Sequence, residues 1–126
     1  MSRFLIVDDS SFIQKQLKEF LESKGHEIVG IGNDGNEGEE LFKEHKPDLV
    51  TLDITMPNRS GKDCLKAILD HDPEARCIMV SAIREEEMVM DCLQLGAKAY
   101  INKPLKFKNE DYCEEFLSTI EEAFEE

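Results

Sequence analysis

Five short apolar runs, each broken off by a polar residue, alternate along this chain with five stretches of helical periodicity, and that alternation narrows the possible folds most. The runs are Phe4–Val7, Ile28–Gly32, Leu49–Leu52, Cys77–Val80 and Ala99–Ile101. They are too short for helices and carry many β-branched residues, so each reads as a strand. Strands apolar on both faces belong in a parallel sheet covered by helices on both sides, an α/β architecture.

The stretches between them carry helix signals. Ser10-Ser11 can cap a helix whose apolar residues Phe12, Ile13, Leu17, Phe20 and Leu21 share one face until Lys24, with Gly25 at the stop. Asn33-Asp34-Gly35-Asn36 opens a second helix carrying Leu41 and Phe42 before Pro47. A turn at Asn58-Arg59-Ser60-Gly61 leads to a third, with Cys64, Leu65, Ile68 and Leu69, closed by Asp72-Pro73. Glu85-Glu86-Glu87 suits the positive end of a fourth helix dipole, and Gly96 ends that helix. From about Glu110, Tyr112, Phe116, Ile120 and Phe124 line one face of the last.

A length of 126 residues suits one compact domain, 1–126. The net charge of −13, from 15 basic and 28 acidic residues, opposes binding to nucleic acid or to an anionic membrane. No apolar run approaches the roughly 18 residues of a membrane span. Cys64, Cys77, Cys92 and Cys113 form no C-x-x-C pair, and His26, His45 and His71 do not complete a zinc cluster. The cysteines therefore read as reduced residues of a cytoplasmic protein.

Function concentrates where the strands end. In open parallel sheets the crevice lies at the carboxyl ends of the strands. Asp8 and Asp9 follow the first strand, Asp53 ends the third, Ser81 ends the fourth and Lys103 follows the fifth. Singly, each has an ordinary explanation as a helix cap, a turn residue or a surface ion pair. Jointly, they place three carboxylates, a hydroxyl and an ammonium at one sheet edge. Three carboxylates so close repel one another unless a hard cation joins them, and oxygen-only ligation suits Mg²⁺ or, failing that, Mn²⁺. With that charge neutralised, one carboxylate oxygen can attack a phosphoryl group, while Lys103 and the Ser81 hydroxyl receive the phosphoryl oxygens.

Asp8-Asp9, Asp53-Ile54-Thr55-Met56-Pro57 with Gly61, Ser81-Ala82, Gly96-Ala97, Tyr100 and Lys103-Pro104 resemble, in order and spacing over almost the whole chain, the receiver domain of two-component response regulators. The resemblance implies a flavodoxin-like, doubly wound sheet of order 2-1-3-4-5 with five helices. It implies Asp53 as phospho-acceptor, a sensor histidine kinase as phosphodonor, and Mg²⁺ held by Asp8, Asp9, Asp53 and the main-chain carbonyl of Thr55. It also implies a switch in which Ser81 turns toward the phosphoryl group and Tyr100 swings inward behind it, with Ala82 small enough to leave the approach clear. The face of the fourth helix, fifth strand and fifth helix is then the partner surface.

Because the chain ends with the fifth helix, a stand-alone, monomeric receiver is expected, similar to the chemotaxis regulators that bind the flagellar motor switch. Such a protein is a signalling switch rather than an enzyme, with a phosphatase as a further partner. One alternative is a shuttle that hands its phosphoryl group to a phosphotransfer protein in a phosphorelay. Another is a flavin carrier on the same fold, where Asp8-Asp9 would repel the flavin phosphate. Met90 and Leu95 are candidate partner contacts. Arg59-Ser60 and the segment Lys106-Phe107-Lys108-Asn109 depart from the family's usual pattern.

Overall fold

The computed structural model describes residues 2–125. The elements alternate along the chain: β1 Arg3–Val7, α1 Ser11–Ser23, β2 Glu27–Gly32, α2 Gly35–His45, β3 Leu49–Leu52, α3 Gly61–His71, β4 Cys77–Ser81, α4 Glu86–Leu95, β5 Ala99–Asn102 and α5 Glu110–Phe124. The strands form one sheet of order β2-β1-β3-β4-β5, and every neighbouring pair is parallel. This is the doubly wound, flavodoxin-like arrangement expected.

Side chains of a strand alternate between faces, and here the alternation splits the core in two. Leu5, Val7, Val50, Leu52, Cys77 and Met79 pack with Phe42 of α2, Cys64, Leu65 and Ile68 of α3 and Cys92 of α4. Phe4, Ile6, Leu49, Ile78 and Val80 pack on the other face with Ile13, Leu17, Phe20 and Leu21 of α1 and Phe116 and Ile120 of α5. Each fully buried aliphatic among them contributes about 1.5–3 kcal/mol relative to exposure. β1, β3 and β4 are buried from both sides, whereas β5 at the edge is only half-buried along its length.

Three of the helix starts take a side-chain cap from the residues that the turn chemistry singles out. Ser10, Asp34 and Ser60 accept from the backbone N–H groups of Ile13, Glu37 and Asp63. Ser60 thus has a structural reason to depart from the family pattern. The second departure has one too. Phe107 stacks on Phe20 of α1 at 4.0 Å between ring centroids and meets Phe116 edge-on at 5.0 Å, while Asn109 caps α5 through Tyr112 N–H. That segment anchors the β5–α5 loop to α1.

Two details differ from the expectation. Leu95 packs against the core, and the exposed apolar residues of α4 are Met90 and Leu93, because the register of α4 turns Leu95 toward the sheet. Asn102, expected after the fifth strand, is its last residue and pairs in register with Ser81. The cysteines are free: Cys64, Cys77 and Cys92 are buried and Cys113 is half-buried. No helix among the described residues is long and apolar enough to cross a membrane.

Candidate functional site

β1 and β3 lie side by side, so the residues that follow them emerge next to each other. Asp8 N–H donates to Gly32 O at 3.0 Å and Asp53 N–H to Val7 O at 2.9 Å, which continues the sheet pairing one residue into the crevice. Asp8 and Asp53 are both buried, and Asp9 is exposed at the rim. One carboxylate oxygen from each of Asp8, Asp9 and Asp53 lies within 4.8 Å of the others, a grouping that can hold a metal ion. The charge pattern fits a cation: Asp8 Oδ2 is buried and makes no aligned hydrogen bond, although Lys103 Nζ approaches it to 2.9 Å.

Lys103 arrives from the far side of the sheet. Its backbone N–H donates to Ser81 O at 3.0 Å, which carries the chain past the end of β4. Its Nζ then bridges Asp8 at 2.9 Å and Asp53 Oδ1 at 3.4 Å. One ammonium does not balance this cluster of acids. Burial pushes the Asp53 carboxyl up to about 6, the Asp8 charge adds to the rise, and Lys103 opposes it.

The other residues singled out from the sequence sit around this group. Thr55 and Ala82 are exposed at the mouth, in the loops that follow β3 and β4. The Ser81 hydroxyl, at the buried end of β4, accepts from Ile83 N–H at 3.1 Å, so it is engaged within its own loop rather than with the carboxylates. Tyr100 packs against the core and donates from its hydroxyl to Ile83 O at 2.6 Å. Burial raises its phenol above the usual value.

The loop after β3 is braced closely. Gly61 N–H donates to Ile54 O at 2.8 Å, and a Cβ at Gly61 would lie 1.8 Å from Asp53 O, so only glycine lets the loop fold over the acid. Asn58 Nδ2 donates to Asp34 Oδ2 at 2.7 Å and Gly35 N–H to Arg59 O at 3.2 Å. Arg59 pairs with Glu39 of α2, which also meets His71 of α3 at 2.9 Å. The His71 and Arg59 hydrogen bonds hold the Glu39 carboxyl down at about 2. Arg59, a departure from the family pattern, therefore ties this loop to α2.

Three neighbours of the site escaped the sequence reading. Gln14 Nε2 donates to the Asp8 carbonyl and, at 2.8 Å, to Asn33 Oδ1. Asn102 Nδ2 donates to Ile83 O at 3.1 Å, and Arg84 donates to Lys103 O at 2.9 Å. Polar residues near strand ends are common, and no local spacing marks these three. They matter only through partners 6 to 19 positions away.

A parallel sheet with an acidic pocket and a bridging lysine at its carboxyl edge defines a class, and comparison with known proteins names it. The response regulator receiver domain family matches residues 4–111, and the chain belongs to that family. Within it, the chain resembles chemotaxis regulators. It is 46% identical over 104 residues to the chemotaxis protein CheY of Bacillus subtilis, covering 82% of this chain and 87% of that protein. It is 43% identical over 104 residues to the chemotaxis protein CheY of Thermotoga maritima, again covering 82% and 87%. Among solved structures, a chain of the CheX-CheY-BeF3-Mg²⁺ complex from Borrelia burgdorferi superposes with a TM-score of 0.90 at 41% identity, covering 98% of this chain and 90% of that one.

Proposed function

We propose that this protein is a phosphorylation-switched signalling module of the chemotaxis type, acting as a single receiver domain over 1–126. The observation that carries the reading is the placement of Asp53: buried, 3.4 Å from Lys103 Nζ, and grouped with Asp8 and Asp9. A carboxylate oxygen of Asp53 attacks the phosphorus of a phosphohistidine on a sensor histidine kinase. The P–O bond of an acyl phosphate forms as the P–N bond breaks, and the electron pair leaves with the imidazole nitrogen, which takes up a proton.

Asp8, Asp9, Asp53 and the Thr55 carbonyl would hold Mg²⁺, which supplies charge neutralisation at the transferring phosphoryl oxygens. Lys103 offers those oxygens a fixed positive charge from its half-buried position. Ala82 leaves the approach open. The Ser81 hydroxyl exchanges its bond to Ile83 N–H for one to the phosphoryl group, and Tyr100 settles inward against the loop that moves with it. The readout surface is the face of α4, β5 and α5, where Met90 and Leu93 are exposed. The output partner is a protein such as the flagellar motor switch, with a phosphatase resetting the switch. The net charge of −13 fits a cytoplasmic partner of protein rather than nucleic acid or lipid. The only chemistry catalysed is the protein's own phosphorylation and dephosphorylation.

Incubation with Mg²⁺ and acetyl phosphate, followed by peptide mass analysis, tests the reading. One phosphoryl group is expected on the peptide that contains Asp53, and none in Asp53→Asn or after chelation. Label that persists in Asp53→Asn, or that falls on another residue, would overturn it.

A further inference from the structure

We propose that Asn102 is a positioning residue for the switch: its side-chain amide holds the Ile83 carbonyl where the Tyr100 hydroxyl meets it, and so sets how fully Tyr100 sits inward. The proposal rests on the reading of Ser81 and Tyr100 as switch residues given above.

Two donors converge on one acceptor. Ile83 O accepts from Tyr100 Oη at 2.6 Å and from Asn102 Nδ2 at 3.1 Å. A carbonyl oxygen has two lone pairs, so the two bonds are compatible rather than competing. The donors are two residues apart on β5, which puts their side chains on the same face of the strand. Asn102 also pairs in register with Ser81, so its side chain starts beside the root of the loop.

The loop itself has little to fix it. Ala82, Arg84 and Glu85 are exposed, and α4 begins after Glu85 with no side-chain cap. Ser81 Oγ accepts from Ile83 N–H at 3.1 Å, which is the bond that switching would give up. Arg84 reaches across to Lys103 O at 2.9 Å, a tie to a different carbonyl from the one Tyr100 meets. Asn102 is the donor that touches the same atom as Tyr100. Water can satisfy a half-buried loop carbonyl when Tyr100 leaves, so the value of the Asn102 bond lies in placing that carbonyl rather than in saturating it. Asn102 therefore favours the inward Tyr100, and the loop is partly set before any phosphoryl group arrives.

The experiment is ¹⁹F NMR of the full chain carrying 3-fluorotyrosine, without Mg²⁺ or phosphodonor. The two tyrosines give two resonances, and Tyr100→Phe identifies the one from Tyr100. Asn102→Leu keeps the branching of the side chain and removes the donor. It is expected to lower the inward-to-outward ratio of Tyr100 about fivefold, the worth of one net hydrogen bond. Asn102→Gln, which keeps an amide donor, should recover part of that ratio. A Tyr100 resonance unchanged in Asn102→Leu, or a Gln variant no different from Leu, would overturn the proposal. Should Asn102→Leu fail to fold, Asn102→Asp, with the same shape and no N–H, is read against the same two outcomes. Acetyl phosphate labelling of Asp53 in the wild type separates the two readings: its absence defeats the phospho-acceptor role and leaves the Tyr100 result standing.

Discussion

The two sides of the carboxyl edge are built to different standards. On the β1/β3 side, Asp8 and Asp53 are buried, Gly61 closes tightly over Asp53, and the β3–α3 loop is bound to α2 through Asn58, Gly35 and Arg59. On the far side, the β4–α4 loop, α4 and β5 are more loosely held. The β4–α4 loop is largely exposed, α4 fully buries Cys92 alone and has no side-chain cap, and β5 is half-buried throughout. Charge that must be held in fixed geometry needs rigid neighbours, while a surface that must change shape is drawn from segments with few buried contacts. The difference fits the proposed division, with phosphoryl chemistry centred on the rigid side and the response on the looser one.

The largest effect that would test this contrast comes from paired glycine substitutions. Gly61→Ala puts a methyl group 1.8 Å from a backbone oxygen, which cannot step aside, and should cost at least about 3 kcal/mol in urea unfolding. Gly96→Ala, at the end of α4, meets only the tip of Leu69 at 3.0 Å and is strained mainly by its φ of +125°. Its expected cost is about 1–2 kcal/mol. Equal losses would erase the contrast.

Next in size is Asp53→Asn without metal. The folded state raises the Asp53 carboxyl from an ordinary 3.8 to about 6, so the ionised form opposes folding. That penalty is absent below about pH 4, grows as the pH rises through 6, and is complete near pH 7. At pH 7 the variant should be more stable than the wild type by on the order of 2–3 kcal/mol, and the gap should close on acidification. Added Mg²⁺ should narrow it, since the cation offsets the same repulsion. Unfolding midpoints across pH, with and without Mg²⁺, check the sign.

The smallest effects belong to the outer face of α4. Met90→Ser and Leu93→Ser should shift stability by less than about 0.5 kcal/mol, because both side chains already face solvent. Amide exchange sharpens the same point: α4 should exchange faster than α3, which buries Gly61, Cys64, Leu65, Ala67 and Ile68. An α4 as protected as α3 would place the flexible element elsewhere.

Much of the fold and the acidic site was legible because their signals are local. An apolar run ending in Asp53, or Asp8-Asp9 ahead of capping serines, is visible within a few residues, and the sheet's topology rule brings such ends together. The orientation of α4 was less so. Its residues are apolar on more than one side, so periodicity did not separate Leu93 from Leu95, and packing against the sheet made the choice. Arg84, Asn102 and Gln14 were illegible as site neighbours for a related reason. Each acts through a partner distant in sequence, and a single polar residue carries no spacing to betray it.

The chain's own pattern of apolar runs, caps and acids was enough to determine a parallel sheet with carboxylates at one rim, since backbone propensity and strand alternation act over a handful of neighbours. What the assembled structure alone decided is how those groups are held: the lysine between two acids, the arginine clasped by α2, and the carbonyl shared by a tyrosine and an asparagine. Those arrangements depend on distances between segments that come together only when the two cores close.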